Sequence, residues 1–62
     1  MTIYEAHYEC NDDTHAETIV IEPAVLQELG YDDVAVWKFA VDVAIESCPN
    51  GLELVSVECI CR

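Results

Sequence analysis

Thirteen carboxylates face only two cations in a chain of 62 residues, which leaves a formal net charge of −11. Ionised carboxylates are almost never fully buried unless they are paired, and two cations cannot pair thirteen. Any fold must therefore hold nearly all of them on its outside. Yet 53% of the residues are hydrophobic, so the chain has material for a core. A disordered acidic tail, poor in apolar residues, does not fit this composition. Direct binding to the phosphate backbone of nucleic acid needs clustered Lys and Arg, and so does anchoring on an anionic membrane; neither is expected.

The length suits one domain, residues 1–62, because domains rarely fall below about 50 residues. A domain this small buries only about 60% of its unfolded surface, and self-repulsion weakens it further. Support is expected from a disulfide, a metal, a dimer or a partner. The opening MTIYEAHYEC has no Lys or Arg and no apolar h-region, unlike a secretory signal. No run approaches the roughly 18 apolar residues of a membrane span. These features predict a soluble protein of the cytoplasm.

Period-two alternation organises the first segment. Tyr4, Ala6, Tyr8 and Cys10 alternate with Ile3, Glu5, His7 and Glu9, which predicts a strand over Thr2–Cys10 with one buried face. The polar cluster from Asn11 to His15 reads as a turn. Glu17–Glu22 is β-branched and apolar at its centre and reads as a second, hairpinned strand. Pro23 ends the ladder and suits a first helical position, so Pro23–Leu29 reads as a short helical turn closed by Gly30.

The main helix is expected from about Asp33 to Cys48, capped by Asp32 and ended by Pro49-Asn50-Gly51. At 100° per residue, Val34, Trp37, Val41, Ile45 and Cys48 form one stripe. Val36, Ala40 and Val43, with Phe39 beside them, lie nearly opposite. One small sheet covers only one side of such a helix. The side formed by Val36, Phe39, Ala40 and Val43 is therefore expected to meet a second copy or a partner. Leu52–Arg62 reads as a long strand, with Val55, Val57, Cys59 and Cys61 on one face and Leu52, Leu54, Ser56, Glu58 and Ile60 on the other. The fold class is α+β, in the order β-β-α-β: one main helix on a three-stranded, mainly antiparallel sheet, its strand order left open.

Cys10, Cys59, Cys61 and a histidine would supply four zinc ligands, but the C-x-C spacing lacks paired C-x₂₋₄-C knuckles. Buried, reduced thiols are the favoured reading; a bridge from Cys59 or Cys61 to Cys10 would need oxidising conditions. No metal and no cofactor is expected. Ser47 and Ser56 stand in no motif, no glycine-rich phosphate loop occurs, and no carboxylate pair stands out as an acid–base dyad. The chain is not expected to be an enzyme.

The charge exceeds the magnitude of about 2–8 that solubility asks of a small domain. On a folded core the carboxylates become a rigid lattice of negative charge, comparable to the rows of phosphates on duplex DNA, and opposite fields steer association with a basic groove. The candidate partner-binding residues are Glu5, Glu9, Asp12, Asp13 and Glu17, expected to form one continuous patch, followed by Asp32 and Asp33. With its small size, its acidity, the segment TIYEAHYEC and the helix DVAVWKFAVDVAIESC, the chain resembles the small acidic inhibitors of bacteriophages and mobile elements, such as anti-CRISPR proteins and other DNA mimics. The resemblance implies action in a host bacterial cytoplasm, against a basic nucleic-acid-binding protein such as a CRISPR effector subunit. The competing readings are a dimeric adaptor, whose charge serves solubility, and a thiol or metal sensor built on Cys10, Cys59 and Cys61.

Overall fold

The computed structural model describes residues 1–62 and has five elements: β1 (Thr2–Cys10), β2 (Asp13–Ile21), α1 (Pro23–Glu28), α2 (Asp33–Glu46) and β3 (Glu53–Cys61). The strands form one antiparallel sheet in the order β2-β1-β3. The fold is α+β, with α2 packed on the sheet. The most strictly alternating segment, β1, is the central strand. Its Tyr4, Ala6 and Tyr8 are buried beneath the helix.

A two-residue loop, Asn11-Asp12, joins β1 to β2, with Cys10 opposite Asp13. Asn11 takes φ 54°, the left-handed conformation that tight hairpin turns need at their first central position. The ladder runs on without a break, so β2 begins at Asp13 rather than Glu17 and takes in Thr14 and His15. These positions are exposed. Backbone pairing holds them in the strand, and their polarity hid it.

Pro23 opens α1 as expected. Its end is a Schellman arrangement: the Gly30 amide donates to the Gln27 carbonyl (3.1 Å) and the Tyr31 amide to the Leu26 carbonyl (3.0 Å). Gly30 (φ 70°) and Tyr31 (φ 58°) are both left-handed. The Asp32 carboxylate then caps α2, accepting from the amides of Val34 (2.9 Å) and Ala35 (3.3 Å).

The face of α2 that meets the sheet consists of Val36, Ala40 and Ala44, all buried, with Val43 half-buried beside them. Val36, Ala40 and Val43 were expected to await a partner; they are the side that packs inward. Small alanines let the helix approach the strands closely, which makes this the better seat. The uncovered flank is the other stripe, where Val34, Trp37 and Ile45 are exposed, and Phe39 stands exposed on the opposite flank. Val25, Leu26 and Leu29 pack against the same core.

The Tyr8 hydroxyl donates to the Ala44 carbonyl at 2.7 Å. That carbonyl belongs to the last turn of α2, where the intrahelical donors run out. One side chain thus ties the central strand to the helix end.

β3 carries two bulges. His7 is opposite Ser56 but Tyr8 is opposite Leu54; Tyr4 is opposite Cys59 but Ile3 is opposite Cys61. Val55 and Ile60 are the extra residues. Each bulge breaks the alternation, so Leu54, Val57 and Cys59 share the helix side, while Ser56, Glu58 and Cys61 share the other. The strict alternation expected for this strand therefore fails at both places.

The Tyr8 bond and the Gly30 conformation can each be tested by substitution. Tyr8→Phe leaves the Ala44 carbonyl unpaired and should cost about 1 kcal/mol in urea unfolding. Burial, reinforced by the Glu17 carboxylate and the Cys48 thiol, also raises the Tyr8 hydroxyl above its ordinary value of 10.0. The folded state then resists an ionisation that the unfolded chain undergoes near pH 10. Stability should be full below that pH and fall as pH rises past it, and Tyr8→Phe should make the fall shallower. Gly30→Ala should cost about 1–2 kcal/mol. An added Cβ meets no atom within 4 Å, so this cost is purely conformational.

Candidate interaction surface

The odd-numbered residues of β1 point away from the helix, and no element covers that side of the sheet. Register assembles the surface in rows across the three strands. Ile3 lies between Val20 and Cys61, Glu5 between Thr18 and Glu58, His7 between Ala16 and Ser56, and Glu9 between Thr14 and Glu53. The middle of this face is a shallow concavity of about 440 Å³, lined by His7, Glu9, Thr14, Val55, Ser56 and Glu58 among others.

Four carboxylates stand on this face in two directly opposed pairs, Glu5 with Glu58 and Glu9 with Glu53. Like charges directly opposite across a sheet are destabilising. The relief nearest to hand is His7, whose Nε2 lies 2.8 Å from the Glu5 carboxylate. The two cations are elsewhere: Lys38 is on the solvent side of α2, and the Arg62 guanidinium meets Asp33 at 3.4 Å.

The expected partner-binding residues do not form one patch. Glu5 and Glu9 belong to the outer face. Asp12 and Asp13 sit at the hairpin tip beside it. Glu17 is opposite Ala6, so alternation carries it through to the helix side, where its carboxylate is 3.1 Å from His15 Nε2. Asp32 and Asp33 lie at the far end, where Asp33 neighbours Thr2 and Tyr4. The length of β1, about 27 Å at 3.4 Å per residue, separates them from the hairpin tip. Asp32 is occupied as a helix cap. Glu53 and Glu58 were not singled out in the sequence, because their place beside Glu9 and Glu5 depends on strand order and on the bulges.

The proposed zinc set is not assembled. Cys59 is beside Tyr4, while Cys10 is six residues further along β1, about 20 Å away. The same distance rules out a bridge between them. The Ile60 bulge also sends Cys59 and Cys61 to opposite faces, although they were expected to share one. Cys48 is half-buried at the end of α2 and donates to the Leu52 carbonyl at 3.2 Å.

Comparison with protein-family models, curated proteins and solved structures finds no match to this chain. No helix is long and apolar enough to cross a membrane.

The opposed carboxylates yield a stability test. Glu53→Lys and Glu58→Lys each turn a repulsive cross-strand pair into an attractive one. Each should stabilise the fold by about 0.2–1 kcal/mol in low-salt denaturant unfolding. The gain should shrink in 1 M salt, where charges are screened beyond about 3 Å.

Proposed function

We propose that this chain is a small acidic inhibitor that occupies a basic, nucleic-acid-binding groove of a bacterial defence or DNA-processing complex, such as a CRISPR effector subunit. The observation that carries this reading is the uncovered outer face of the sheet, with Glu5, Glu9, Glu53 and Glu58 in two opposed pairs. Such pairs weaken the fold, and a partner surface rich in Lys and Arg would relieve them. The face is held by the backbone of three strands, so its charges are fixed in place as phosphates are on a duplex. Asp12 and Asp13 extend the charge around the hairpin tip. The setting for such an inhibitor is the cytoplasm of a host bacterium.

A second reading rests on a different surface. Val34, Trp37 and Ile45 stand exposed along one flank of α2. They suit a dimeric adaptor joined through the helix, with the charge serving solubility.

The two readings separate by salt and by charge reversal. The chain would be immobilised and exposed to a bacterial lysate containing a CRISPR effector complex. On the inhibitor reading, captured proteins elute with moderate salt and with added duplex DNA. A single reversal does little, since exposed pairs are worth about 0–1 kcal/mol each. Reversal of Glu5, Glu9, Glu53 and Glu58 to Lys abolishes capture while circular dichroism shows the fold intact. Capture that survives both high salt and the fourfold reversal would reject the inhibitor reading.

A further inference from the structure

The two outer strands of the sheet leave two open edges, and these edges differ. The β3 edge is kinked by the bulges at Val55 and Ile60, and the Trp37 indole donates to the Val57 carbonyl at 3.0 Å. Bulges and covering side chains are the usual means of keeping an edge from pairing. The β2 edge has neither. It pairs with β1 over nine consecutive residues without a register shift, and Asp13–Ile21 contains no proline or lysine.

The free groups on that edge can be assigned. A two-residue loop makes Cys10 and Asp13 the closing hydrogen-bonded pair, and antiparallel pairs then alternate. The N–H and C=O groups of Thr14, Ala16, Thr18 and Val20 therefore point away from β1. The same alternation carried across to β3 turns the Val57 carbonyl outward, where Trp37 meets it. That contact confirms the phase.

We propose that two copies of this chain pair antiparallel through β2, with Ala16 opposite Ala16 of the second copy, to form one six-stranded sheet. In this register Thr14 faces Thr18 of the other copy, and His15 faces Glu17, each twice by symmetry. The His15–Glu17 pairs are the non-hydrogen-bonded ones, in which side chains stand closest. Within one chain these two side chains already meet at 3.1 Å on the helix side, so each carboxylate gains a second imidazole. The other registers combine charge and length less well. Centring on His15 sets Asp13 against Glu17, and centring on Glu17 sets two carboxylates face to face. Centring on Thr18 gives no imidazole–carboxylate pair, and centring on Thr14 sets His15 against Asp13 but shortens the ladder to the hairpin tip. Imidazole–carboxylate matching and ladder length together select Ala16. The net charge of −11 on each copy opposes the pairing, so added salt should strengthen it. Salt has the reverse effect on an acidic face binding a basic groove, which keeps the two proposals separable.

Sedimentation of the full chain in 0.15 M and 1 M salt tests the pairing, read with amide hydrogen exchange by NMR. The expected result is twice the monomer mass, more so at high salt, with the Thr14, Ala16, Thr18 and Val20 amides protected. Ala16→Pro removes an outward N–H that β1 does not use, and should give a monomer. Ala16→Asp sets two carboxylates against each other at the two-fold axis and should do the same, with circular dichroism unchanged for both. A chain that stays monomeric at high salt and hundreds of micromolar overturns the proposal. So does a dimer that survives both Ala16 variants and is broken instead by Ile45→Glu on the helix flank.

Discussion

The bond from the Tyr8 hydroxyl to the Ala44 carbonyl holds the two layers in register. Tyr8 and Ile21 are the only large side chains that are almost wholly buried, and much of the remaining core is alanine and valine. A core so light cannot fix the position of a helix by bulk alone. A directional bond from the central strand to the last turn of α2 sets how far along the sheet the helix lies. That setting places Asp32 and Asp33 at one end and leaves the hairpin tip free at the other. It also brings Trp37 over the β3 edge.

The legible parts of the fold were those where one local rule acts alone. Alternation in Tyr4, Ala6 and Tyr8 marked β1 and its buried face. Asp32 marked the start of α2, and Pro23 with Gly30 bracketed α1. The parts that were missed need pairing information. β2 extends back to Asp13 because a tight turn propagates register, not because its residues look like a strand. β3 departs from alternation because bulges at Val55 and Ile60 answer to β1. The side of α2 that packs inward was also hidden, since two apolar stripes compete and the choice falls to the close approach that Ala40 and Ala44 permit. For the surface, Glu5 and Glu9 were readable from β1. Glu53 and Glu58 join them only through the strand order β2-β1-β3.

Charge and stability pull against each other in this molecule. The Glu5–Glu58 pair stands in the middle of the sheet, and the Glu9–Glu53 pair closes the β1–β3 ladder at the hairpin end. A small domain has little stability in reserve, and opposed carboxylates reduce it. The helix side accommodates its own carboxylates differently: Asp32 serves as a cap, Asp33 meets Arg62, and Glu17 meets His15. The outer face has only His7 for that purpose. Part of the charge on the helix side is thus used internally, whereas Glu9, Glu53 and Glu58 on the outer face have no partner.

The bulges in β3 also decide which residues it can lose. Losing Val55 alone would close its bulge and leave every pairing as it is, with Leu54 still opposite Tyr8 and Glu53 still opposite Glu9. Losing Ile60 alone would do the same at the other end, with Cys61 still opposite Ile3. Losing a paired residue such as Val57 would instead push at least one neighbour onto the opposite face. Over Glu53–Cys61 the chain should tolerate a deletion at either bulge far more readily than a deletion at a paired position.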